Sequence, residues 1–105
     1  MDPRELKVVS AELGEYDRGE ELVITFANNM VKFTLYDIEI TDYYEAYTAC
    51  LNKTEWFGNI IEVYNGIVKI SVNTEYGDVY ITLPAVSCVN AFKEAYDKLS
   101  EMIIE

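Results

Sequence analysis

Asn65-Gly66 constrains this chain more than any other pair of residues. Both residues accept the positive φ of a two-residue type I′ turn, whose twist matches that of two antiparallel strands. The segments on either side are therefore expected to pair as a hairpin. Upstream, residues 56–64 read as one strand with Gly58 as its weak point. Downstream, Val68, Ile70 and Val72 alternate with Lys69, Ser71 and Asn73, the period of a half-buried strand. Glu75-Tyr76-Gly77-Asp78 reads as the next turn. Beyond it Val79, Ile81 and Leu83 face one side, with Tyr80 and Thr82 on the other.

The first half follows the same logic. Residues 6–13 read as a strand, and 14–19 as a turn or exposed loop. In residues 21–27, Leu22, Ile24 and Phe26 share one face, and Asn28-Asn29 suits a tight hairpin. Residues 30–41 are long for one strand. Val31, Phe33 and Leu35 share one parity, whereas Ile38 and Ile40 share the other. An extra residue resets in/out alternation, so a β-bulge near Tyr36-Asp37, or two abutting strands, is expected there.

Two stretches carry helical spacing. Asp42 and Glu45 stand as a capping box, and residues 43–51 follow as a short helix with Tyr43, Tyr47, Cys50 and Leu51 on one face. Asn52-Lys53-Thr54 ends it. Pro84 suits the first turn of the second helix. From there Val86, Val89, Phe92, Ala95, Tyr96, Leu99, Met102 and Ile103 trace an apolar stripe opposite Lys93, Glu94, Asp97, Lys98 and Glu101. The expected fold is a single α+β domain over residues 1–105. Its sheet is mainly antiparallel and built from two βββα units, with a short middle helix and a long C-terminal amphipathic helix packed on the sheet.

The available chemistry is narrow. The chain has no histidine, which excludes Ser-His-Asp and Cys-His catalysis and the commonest metal ligand. Two cysteines cannot supply a usual zinc set, and no Gly-rich phosphate loop or EF-hand loop is present. No metal, cofactor or enzymatic activity is expected. For a carboxylate mechanism, Glu39, Asp42 and Glu45 are the first residues to test.

Nineteen acidic against eight basic side chains leave a formal net charge of −11. Such a chain repels nucleic-acid backbones and anionic membranes and attracts basic protein faces. No hydrophobic run approaches the roughly 20 residues that span a bilayer. The start, Met1-Asp2-Pro3-Arg4-Glu5, is too polar for a secretory signal. Cys50 and Cys88 are expected as buried free thiols in a reducing compartment, which points to the cytoplasm; a disulfide between them is the alternative. With no export signal, the Asn52-Lys53-Thr54 sequon reads as chance.

The acids fall into two stretches, Glu12 to Glu21 and Asp37 to Glu62. The first reads as a flexible loop. Through the second run Tyr36, Tyr43, Tyr44, Tyr47, Trp56 and Phe57. Aromatic rings beside carboxylates suit contact with a basic surface, although Tyr47 and Trp56 also fit a core. The expected anchors are Asp37, Glu39, Asp42, Tyr43, Tyr44 and Glu45. The functional expectation is a non-enzymatic acidic binding module, in its sharpest form an inhibitor that mimics nucleic-acid charge and blocks a basic nucleic-acid-binding protein or nuclease, as anti-defence and immunity proteins do. The alternative is an assembly domain forming a homodimer through a sheet edge or the C-terminal helix.

Overall fold

A computed structural model describes residues 3–16, 19–36 and 38–103, with the side chains of residues 13–16, 19–22 and 103 excepted. Its elements run β1 (Lys7–Tyr16), β2 (Gly19–Ala27), β3 (Lys32–Leu35), α1 (Ile40–Asn52), β4 (Trp56–Phe57), β5 (Ile61–Tyr64), β6 (Ile67–Thr74), β7 (Gly77–Pro84) and α2 (Val89–Ile103), with a 3-10 turn at Ala85–Ser87 before α2. The strands form two antiparallel sheets, β1-β2-β3 and β4-β5-β6-β7. The α+β class, the short middle helix and the C-terminal helix are those the sequence implies.

The Asn65-Gly66 turn has the expected geometry. Its φ values are +52° and +74°, and Tyr64 and Ile67 close the β5–β6 ladder across it. Ile61, Val63, Val68 and Ile70 then point into the core. The segment 56–64, expected as one strand, is itself a hairpin. The Gly58 N–H donates to the Ile61 carbonyl at 2.9 Å, folding β4 back on β5. A Cβ at Gly58 would collide with Cη2 of the Trp56 indole, so the ring occupies the space a side chain would need. This extra turn gives the second unit four strands.

Three other segments depart from the sequence reading. Residues 14–16 and 19–21, expected as loop, continue the β1–β2 ladder down to Tyr16 opposite Gly19; paired backbone groups there replace solvation. Asp17 and Arg18 lie outside the described residues. Next, β3 ends at Leu35, so the parity change before Ile38 marks the chain leaving the sheet to enter α1. Asp37, where a bulge was expected, lies outside the described residues; a register shift occurs instead in β1, between Val8 and Ser10. Finally, Pro84 closes β7 with φ −61° and ψ 137°. The Ala85 N–H then donates to the Gly66 carbonyl at 2.9 Å, extending the ladder. The helix therefore starts later, and Val86, placed in the apolar stripe, is 68% exposed.

One continuous core joins both sheets and both helices. α1 packs against α2 and β5, and α2 packs against β1. At the centre Phe26 of β2 meets Phe33 at 5.6 Å, Tyr43 of α1 at 6.0 Å and Phe92 of α2 at 6.1 Å between ring centroids. The Phe26–Phe92 contact is edge-on, the arrangement favoured by ring quadrupoles. Ala46, Ala91 and Ala95 are buried small residues on the two helices.

Candidate functional site

Helix α1 starts at Ile40, not at Tyr43, with Glu39 as its N-cap in extended conformation and no side-chain cap bond. Asp42 therefore sits in the first turn and is not a cap. At about 100° per residue, Tyr43, Ala46, Ala49 and Cys50 form the buried face; Asp42 falls within the same arc and is half-buried, Glu45 turns outward, and Glu39 precedes the helix as its extended N-cap.

Of the six expected anchors, Glu39 and Glu45 are exposed and Asp42 is half-buried. Tyr44 is 46% exposed. Asp37 lies outside the described residues. Tyr43 is a correction: it is fully buried, because the helix phase turns it onto Phe26 and Phe92. It is a core residue and offers nothing to a partner.

The three carboxylates interact. Asp42 titrates above the ordinary carboxylate range, first through partial burial and then through the charges of Glu39 and Glu45. Burial and neighbouring negative charge both disfavour the ionised form of Asp42. Neither ion pair on α2, Lys93–Asp97 at 2.8 Å or Lys98–Glu94 at 3.7 Å, involves them.

A cluster of phenols lies on the flank of α1 that faces α2. The Tyr44 ring sits 5.1 Å from Tyr96 and 6.1 Å from Tyr47. Beside it, Lys93 is held above its ordinary pKa, first by its hydrogen bond to Asp97 and to a lesser degree by the Asp97 charge and the Tyr47 and Tyr44 phenols. Tyr96 and Lys93 escape a sequence reading of this site. They lie about fifty residues from Tyr44 in the chain, and only the packing of α1 on α2 brings them together.

The outward face of the four-stranded sheet carries a second aromatic set. Phe57 stacks on Tyr64 at 5.9 Å, and the Lys69 ammonium stands 4.5 Å over the Tyr80 ring. The hollow between Asn59, Glu62, Lys69 and Tyr80 measures about 250 Å³, below the usual range for small-molecule sites.

Among the described residues, no group of three or more His, Cys, Asp or Glu side chains is placed to hold a metal. No helix there is long and apolar enough to cross a membrane. Cys50 and Cys88 are buried free thiols, as expected. Burial pushes the Cys50 thiol up to about 11 and Cys88 further still. Both stay protonated near neutrality, and the thiol is a poor nucleophile. The sign follows by linkage: with raised folded-state values, the thiols contribute stability below the ordinary thiol pKa of about 8.5 that is lost as pH rises from there toward 11. A disulfide reagent at pH 8 is expected to label neither cysteine in the folded protein and both in urea. Rapid native labelling would show that burial does not protect them.

No family model, no curated protein and no solved structure matches the chain.

Proposed function

We propose that this chain is a non-enzymatic module that docks on a basic protein surface through the start of α1. The carrying observation is the half-buried Asp42 carboxylate in the first turn of α1, raised above its ordinary range by burial first and then by the charges of Glu39 and Glu45. Carboxylates grouped at a free-energy cost are relieved by an incoming Lys or Arg. The Tyr44–Tyr47–Tyr96 cluster supplies contact area alongside. Its rings already pack on one another, so little rotamer freedom is lost on binding. In its finer form the module imitates the charge of a nucleic acid and occupies the groove of a nuclease or other nucleic-acid-binding protein. The net charge of −11 steers such an encounter. Two buried free thiols favour a reducing compartment such as the cytoplasm.

The test compares proteins captured from a native-host extract by three forms: wild type, the reversal Glu39→Lys/Asp42→Lys/Glu45→Lys, and a control with the same change in net charge, Glu12→Lys/Glu94→Lys/Glu101→Lys. A true partner is retained by wild type and control and lost by the α1 reversal. With that purified partner, association is expected to slow about tenfold or more for the α1 reversal and to weaken with added salt. Equal loss in both variants would reduce the effect to net charge, and retention by the α1 reversal would end the proposal.

A further inference from the structure

Strand β7 is an open edge with few of the usual protections, Asp78 being its one charged residue. Among the described residues it pairs only with β6, and residues 77–80 and 82 are exposed. Val79 is 51% and Tyr80 59% exposed. The register with β6 is unbroken from Gly77 to Pro84, so no bulge twists this edge away, and no lysine or internal proline guards it. The other edges differ: β4 is two residues long, β3 is four, and β1 carries the register shift at Val8/Ser10.

The backbone groups that β7 turns outward can be identified. Ser71 donates its N–H to the Ile60 carbonyl at 2.9 Å, on the β5 side, so Ser71 and Tyr80 form a non-hydrogen-bonded pair. Antiparallel ladders alternate. Hence Val79 and Ile81 bond to β6, while the N–H and C=O of Asp78, Tyr80 and Thr82 point away from the sheet.

We infer that this edge pairs with the β7 of a second copy, in antiparallel register about a two-fold axis at Tyr80. The register is self-complementary. Tyr80 meets the second copy's Tyr80, and Asp78 meets its Thr82, giving about six backbone hydrogen bonds at two per bonded pair. Val79 falls opposite the second copy's Ile81 as a non-hydrogen-bonded pair, where side chains approach most closely. Both half-exposed residues, Val79 and Tyr80, thereby gain partners. Charge does not forbid the pairing. The two Asp78 carboxylates lie four residues apart along the strands, about 14 Å, beyond the screening length of about 8 Å at physiological salt. The contact is small, below the roughly 1,200 Å² of stable interfaces, so the dimer is a weak one. With −11 on each copy, it strengthens with salt, opposite to docking on a basic partner, and it involves none of the α1 carboxylates.

Sedimentation equilibrium from about 10 μM to about 1 mM protein in about 0.5 M salt, spanning the range of weak interfaces, reads the association. Wild type is expected to dimerise, more weakly at low salt. Tyr80→Pro removes an outward N–H that β6 does not use, and Val79→Lys sets a cation against the second copy's Ile81. Each is expected to weaken association about tenfold or more while the far-UV circular dichroism and melting curve stay those of a folded chain. Amide exchange of wild type gives an independent readout. Protection at Asp78, Tyr80 and Thr82 rises with concentration, while Val79 and Ile81 do not change. A wild type that stays monomeric throughout, or dimers that persist unchanged in both folded variants, overturns the inference, whereas loss of basic-partner docking leaves it untouched.

Discussion

Tyr43→Phe is expected to raise the unfolding free energy by about 1 kcal/mol, and Tyr43→Ala to lower it by about 3–5 kcal/mol. The two substitutions separate the ring from its hydroxyl. The ring is fully buried against Phe26 and Phe92; deleting it leaves a cavity between helix and sheet. The hydroxyl is buried too, yet finds no hydrogen-bond partner among the described residues, so it bears a desolvation cost without return. Burial, followed by the charge of Asp42, holds the phenol well above its ordinary pKa. Urea titrations of the three proteins measure the effect, with a common slope showing that only stability has moved. A Tyr43→Phe protein less stable than wild type would mean that the hydroxyl is bonded after all. Neither this change nor its direction should alter docking, because Tyr43 does not reach the surface.

Phe26→Ala carries the second large effect, a loss of about 3–5 kcal/mol from a total of about 5–15 kcal/mol expected for a domain of this size. Phe26 is fully buried and touches Phe33, Tyr43 and Phe92. It is thus the residue at which β2, β3, α1 and α2 meet. Its removal withdraws contacts from four elements at once and leaves rings that cannot collapse into the space without shifting a helix. The measurement is again the denaturation midpoint. A loss under about 1 kcal/mol, the level of an ordinary substitution, would show that the aromatic cluster is not the centre of the core.

Local signals were legible where one backbone conformation answers to few residue types. Asn65-Gly66 needed positive φ twice, and no tertiary contact was required to read it. The stripe of α2 was equally plain through Phe92, Ala95 and Leu99, all fully buried. The failures share a cause: alternation alone does not say where a strand stops. Residues 30–41 alternate on one parity through Leu35 and on the other from Ile38, and that switch fitted a bulge as well as the strand end it marks. Residues 56–64 are apolar on both sides of Gly58-Asn59, so the turn closed by the Gly58–Ile61 hydrogen bond left no clear mark in the pattern. At the candidate site the acidic residues were found by composition, and Tyr43 was misassigned because it was grouped with the neighbouring acids, although its seven-residue spacing from Cys50 already placed it on the buried face. Tyr96 belonged to the same surface cluster as Tyr44 but looked like core until the two helices were placed side by side.

Every strand in both sheets pairs with its neighbour in the chain. That arrangement has a kinetic consequence. Each three- or four-stranded meander closes through short turns, so its loop-closure entropy is low and little of the barrier comes from bringing distant segments together. The contacts of long sequence separation are chiefly those of α1 with α2, of α2 with β1, and the tie from Leu6 N–H to the Ser87 carbonyl at 2.9 Å. The chain is accordingly built to reach its native state faster than a sandwich or barrel of equal length, spending little time with unpaired strands open to aggregation.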